Sequence, residues 1–205
     1  MGVSIPAKAS SVQTKGERTR AAILDAALRL VSKAGLDGLT IGTLAEVTGM
    51  SKSGLFAHFG SRDELLLAVL AHGQAQFGEV VFQPAMARPR GLPRLRAMFV
   101  NWLDWTESAE LPGGCPMIGG AAEFDDKPGP VRDMLAGGQR TWIETLKRTV
   151  RQAVEEGQLP AGTDPEQIAF EMFGIALVVH HHRRLLGYPK ARARALAALE
   201  KLLSR

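Results

Sequence analysis

The chain has 205 residues, 45% of them apolar, and a formal net charge of +4. This suits a small domain fused to a larger one, with enough apolar material for a core. A single cysteine, Cys115, excludes an intrachain disulfide and fits a reducing cytoplasm. No apolar run reaches transmembrane length, and the N-terminus reads neither as a signal peptide nor as a myristoylation site.

Residues 1–15 are small, polar and weakly basic, and are expected to form a flexible tail. A helix follows from about Arg18 to Ala34, with Ile23, Ala27, Leu30 and Ala34 at helical spacing. Gly35 sits where a C-cap is expected, and Leu36 can pack back on the helix end. Thr40 is a good N-cap for a second helix carrying Ile41, Leu44, Ala45 and Val47 as buried contacts. Gly49 ends it, Ser51 caps a third helix through Phe59, and Gly60 stops that one. Ser61-Arg62-Asp63-Glu64 has the form of a capping box for a fourth, longer helix.

The short turn at Gly49-Met50-Ser51 between the second and third helices is the layout of a helix-turn-helix, whose second helix enters the DNA major groove. The third helix supports this. Leu55 and Phe59 face a small core, while Lys52, Ser53, Gly54, Ala57 and His58 are small or polar. Small side chains let a helix lie deep in a groove, and Lys52 and Ser53 can donate to bases or phosphates. Residues 1–60 carry seven Lys/Arg against four Asp/Glu; residues 61–205 carry eighteen against seventeen. Most of the positive excess therefore lies at the reading end.

The run Thr40-Ile41, Leu44-Ala45, Thr48 to Lys52, Leu55-Phe56 and His58 to Leu65 resembles the DNA-binding domain of the TetR family of transcriptional regulators. The resemblance covers about a quarter of the chain. It implies an all-α homodimer that binds double-stranded operator DNA, represses promoters and lets go when a small-molecule effector binds. It also implies DNA contacts from Thr40, Ser51, Lys52, Ser53, His58 and Arg62, with Gly54 and Phe56 on the same surface. Two residues depart from the family pattern. Phe56 replaces the usual tyrosine, whose hydroxyl meets a phosphate, and Gly54 stands where Thr, Ala or Ser is common.

The fourth helix is expected from Arg62 to about Phe82, roughly 30 Å at 1.5 Å per residue. Gln83-Pro84 to Pro93 reads as a break. Helices are then expected near Pro93–Ser108, Met117–Phe124, Val131–Glu156, Pro165–Leu186 and Pro189–Leu203, with Asp164 capping the fourth of these. The domain plan is a tail over 1–15, a three-helix helix-turn-helix domain over 16–61 and a helical ligand-binding and dimerisation domain over 62–205. Ile168, Met172, Ile175 and Val179, with Leu196, Leu199 and Leu203, are the expected faces of a four-helix dimer interface.

Aromatic and sulfur side chains recur through the larger domain: Phe77, Met98, Phe99, Trp102, Trp105, Cys115, Met117, Phe124, Trp142 and Phe173 are the candidate walls of an apolar ligand pocket. Cys115, in a Gly-Gly-Cys-Pro turn without a second cysteine, reads as structural rather than redox-active. Consecutive His180, His181 and His182 cannot share one helix face, so no metal site is expected. No cofactor or membrane partner is expected, and nucleotide, hydrolase and zinc-protease motifs are missing. Alternative readings are a helical small-molecule binder that has lost DNA binding, and a repressor that needs no ligand.

Overall fold

The computed structural model describes residues 14–204. Residues 1–13 of the expected tail lie outside the described residues. Thr14 is already an N-cap: its side chain accepts from Glu17 N–H at 3.2 Å while Glu17 accepts from Thr14 N–H at 2.7 Å. That box starts α1 (Lys15–Ala34) three residues earlier than apolar spacing alone indicates.

The elements then follow as α2 (Ile41–Thr48), α3 (Lys52–Phe59), α4 (Arg62–Phe77), a π-helical turn (Gly78–Phe82), α5 (Gln83–Met86), α6 (Leu92–Thr106), α7 (Pro116–Phe124), α8 (Pro130–Glu155), α9 (Pro165–Arg184) and α10 (Ala191–Leu203). The described residues contain no strand. The all-α, two-part reading holds.

α1 to α3 and the start of α4 close a small core around Ile23, Ala27, Leu44, Leu55, Phe59 and Leu65. Val47, expected inside, is 58% exposed. Of the expected capping box on α4, only half forms: Ser61 accepts from Glu64 N–H at 3.1 Å, with no reciprocal bond.

The break expected over Gln83-Pro84 to Pro93 falls only in its later part, between Met86 and Leu92; Pro84 itself interrupts nothing. α4, the π turn and α5 run on as one rod from Arg62 to Met86. In the widened turn, Gln83 N–H reaches back five residues to Gly78 C=O, and Asn101 Nδ2 donates to Val81 C=O at 3.0 Å. The chain therefore absorbs a proline that has no N–H to give. The rod is long and apolar enough to cross a bilayer, contrary to the expectation that no segment would be. Its apolar side is used inside the protein: Leu65, Leu66, Val69, Leu70, Val81 and Ala85 are buried, and the rod packs on α1, α6 and α8.

α8 to α10 form the far side of the larger domain. Here the expected interface faces turn inward. Ile168, Met172, Val179, Leu199 and Leu203 are buried within the chain, with Ile175 and Leu196 partly so. α9 instead leaves Phe170, Leu177 and Val178 exposed, followed by Leu185 and Leu186 beyond its C-terminus.

Candidate nucleic-acid interface and ligand pocket

The reading head is built from caps. Thr40 and Thr43 make a reciprocal box at the start of α2, each side chain accepting the other's N–H at 3.0 Å. Gly49 takes the left-handed conformation (φ 67°, ψ 16°) that ends α2 and turns the chain. Ser51 then accepts from Gly54 N–H at 3.1 Å and lies 3.2 Å from the Ser53 hydroxyl. Leu55 and Phe59 anchor α3 in the core. Ser51, Lys52, Ser53 and Phe56 lie exposed on the outer side, with Gly54 and His58 partly buried. Phe56 is half exposed and has no hydroxyl to offer a phosphate. A Cβ at Gly54 would come within 3.2 Å of the Ser51 hydroxyl, so the glycine leaves room for the cap.

Arg62 is used differently from its neighbours. Its guanidinium donates to the carbonyls of Leu39, Leu36 and Asp37 at 3.2–3.3 Å, tying α4 to the turn between α1 and α2. The same turn is held from the other domain. Glu123, near the end of α7, accepts from the N–H groups of Leu36 and Asp37 at 3.1 and 2.9 Å, and Lys127 pairs with Asp37 at 2.5 Å. The lysine holds the Asp37 carboxyl below its ordinary range. At the other end of α7, Ser32 of α1 accepts from Gly113 N–H at 2.7 Å and donates to Gly114 C=O at 3.1 Å. A Cβ at Gly113 would stand 1.4 Å from the Ser32 carbonyl oxygen, so the close approach requires glycine.

Between the rod, α6, α7, α8 and α9 lies a cavity of about 570 Å³. Of the expected walls, Phe77, Trp102, Cys115, Met117, Trp142 and Phe173 line it. Met98, Phe99, Trp105 and Phe124 do not; they are buried in the surrounding core, where Trp105 meets Phe77 edge to face at 6.0 Å. The rings form a chain: Phe77 to Trp142 at 4.9 Å, Trp142 to Trp102 at 5.7 Å and Trp102 to Phe173 at 5.3 Å. Burial pushes the Cys115 thiol up, which suits a wall residue rather than a reactive thiolate.

Sequence reasoning missed the polar walls. Gln74 donates to Met134 C=O at 3.3 Å, and Gln139 to Met117 C=O at 3.1 Å. A Cβ at Gly138 would fall 2.4 Å from Gln74 Nε2. The adjacent Gly137-Gly138 inside a 26-residue helix was the available signal, since each glycine costs a helix interior about 1 kcal/mol against Ala. The π turn also faces the cavity through Gly78 and Phe82. The histidines of α9 separate: His182 Nδ1 meets Val178 C=O at 2.9 Å, while His180 packs beside Gly114 and Arg184.

A helix-turn-helix head joined by an unbroken rod to a chamber of this kind defines a two-domain DNA-binding regulator. Residues 23–69 match the family model described as "Bacterial regulatory proteins, tetR family". Residues 91–199, more than half the chain, match "Tetracyclin repressor-like, C-terminal domain". The protein belongs to the TetR family of transcriptional regulators. It is 26% identical to the HTH-type transcriptional regulator SrpR of Pseudomonas putida, over 76% of this chain and 70% of that one. A TetR transcriptional regulator from Chloroflexus aurantiacus superposes with a TM-score of 0.85 at 22% identity, covering 93% of this chain and 96% of the other. AibR, solved with isovaleryl coenzyme A and operator DNA, gives 0.66 at 25% identity, covering 86% and 96%.

Proposed function

We propose that the protein is a dimeric repressor that releases its operator when a small apolar molecule enters the cavity. The observation that carries this reading is the placement of the cavity's walls. Phe77 and the π turn belong to the rod that bears the head, and Met117 belongs to α7, whose Glu123 holds the turn between α1 and α2. A ligand that prefers one arrangement of these walls shifts the setting of the head. AibR, which was solved with both a small molecule and operator DNA, supports the ligand-responsive reading.

In this reading Thr40, Ser51, Lys52, Ser53, Gly54, Phe56 and His58 form the DNA-facing surface. Arg62 positions the head through its carbonyl bonds and lies at the edge of that surface. Phe170, Leu177 and Val178 form one apolar stripe with Gly174 and become the core of the dimer contact. Two heads on a two-fold axis then read two half-sites of a palindrome. The test is fluorescence anisotropy of the purified protein on its own upstream DNA and on random DNA, at several salt concentrations. Selective binding with two or more chains per site supports the reading; equal, weak binding to both DNAs overturns it.

A further inference from the structure

The cavity specifies the chemistry of its ligand more narrowly than "apolar". None of its lining residues is Asp, Glu, Lys, Arg or His. A charged molecule entering it would lose its hydration with no counter-ion to replace it, and that loss is far larger than any single neutral contact returns. The chain of rings from Phe77 to Phe173, edge to face at its first two contacts and tilted at the third, presents flat apolar surface.

The polar groups that remain are few and fixed. Carbonyl oxygens only accept, so the Gln74 atom facing Met134 C=O and the Gln139 atom facing Met117 C=O must be the amide nitrogens. Each carboxamide oxygen is thereby held without a donor among the described residues. Gly138 gives Gln74 the space to take this position. The Trp142 indole N–H is buried in the same wall, also without a partner. The carboxamides therefore offer neutral acceptors. A hydroxyl group can donate to them.

We propose that the cavity selects an uncharged molecule with a flat aromatic or fused-ring body and a hydroxyl-type group, bonded to the carboxamide oxygen of Gln74 or Gln139. This deepens the effector reading above and rests on it. It assigns Gln74 and Gln139 as the residues that determine specificity and excludes carboxylate and ammonium ligands.

The experiment compares three probes of one shape at pH 7, by titration calorimetry on the full chain: 2-naphthol, 2-methylnaphthalene and 2-naphthoate. The expected order is 2-naphthol tightest, 2-methylnaphthalene about fivefold weaker for want of a hydrogen bond, and 2-naphthoate weaker by about a hundredfold or more. Gln74→Met and Gln139→Met keep the volume and remove the amide. Between them they are expected to close the gap between the two neutral probes by weakening 2-naphthol, while helical circular dichroism of each variant shows that the chamber still folds. Tight binding of 2-naphthoate, no preference for 2-naphthol in the wild type, or no binding of either neutral probe overturns the proposal. Operator anisotropy run with the same probes separates this from the regulator reading. If 2-naphthol binds as expected and the operator is held unchanged, the ligand class stands and the effector role fails. If the operator is bound selectively and 2-naphthol does not bind, the regulator stands and the ligand class fails.

Discussion

The Glu123 carboxylate accepts from the backbone N–H of Leu36 at 3.1 Å, joining the end of a pocket helix to the turn that opens the helix-turn-helix. Leu36 is fully buried, so its N–H has little access to replacement water. Glu123→Ala is expected to cost about 1–3 kcal/mol, because it strands donors that the native protein pairs. At this chain length that lowers the melting temperature by about 2–4 °C per kcal/mol. The contact also joins the two domains, so the variant's operator affinity is expected to respond less to effector. Thermal melting and anisotropy with and without effector check the two parts separately.

Lys52 stands exposed on the first turn of α3 with no ion-pair partner among the described residues. On the proposed DNA-facing surface, its removal is expected to cost a phosphate contact and no folding contact. Lys52→Ala is expected to weaken operator and random DNA alike and to reduce the salt slope by about one. The converse change is Phe56→Tyr. The ring is already half exposed on the outer face, and a hydroxyl there restores the phosphate donor that the family pattern carries. Operator binding is expected to tighten about tenfold or more, the value of one hydrogen bond to a charged group. Anisotropy over a salt series measures both changes.

The reading head was legible because its signals are local. Thr40, Ser51 and Ser61 bond to groups three residues away, and Gly49 acts through its own φ. The chamber was legible only in kind. Periodicity does not separate Trp142, a wall, from Phe99, which sits in packed core, since both need burial. α9 misled because it is apolar around most of its circumference, with Ile168, Phe170, Met172, Phe173, Leu177 and Val178 facing several ways. No spacing rule chooses which stripe the rest of the chain will cover. Glu123, Gln74 and Gln139 act across sequence separations of 87, 60 and 22 residues, and hydrogen bonds at such distance leave no periodic trace.

The stripe that α9 leaves uncovered makes the dimer testable. Phe170 is 73% exposed and Val178 54%, and they lie eight residues apart on one face with Gly174 between them. In a two-fold contact each substitution acts twice. Phe170→Glu with Val178→Glu is expected to convert the dimer to monomer in sedimentation velocity at micromolar concentration. The helical circular dichroism should persist, because neither side chain is buried within the chain. Operator affinity should fall by at least about a hundredfold once a single head must bind alone.

His180 gives stability a defined pH dependence. It is partly buried on α9, its Nε2 lacks a hydrogen-bond partner, and Arg184 and His181 stand nearby. Burial first, then the charge of Arg184 and of His181, lowers its pKa below the ordinary histidine value. The unfolded chain therefore takes up a proton before the folded one does. As pH falls through about 6.5, unfolding is favoured progressively, and the loss stops growing only below the lowered folded pKa; above about 6.5 the group has no effect. Arg184 also donates to Pro112 C=O at 2.7 Å, next to the Gly113-Gly114 turn that Ser32 holds. Protonation at His180 would thus place a second positive charge against that turn. His180→Gln, which cannot titrate, is expected to flatten the slope of stability against pH below about 6.5 and to leave the stability at pH 8 within about 1 kcal/mol of wild type. An unchanged slope would assign the pH dependence to other groups.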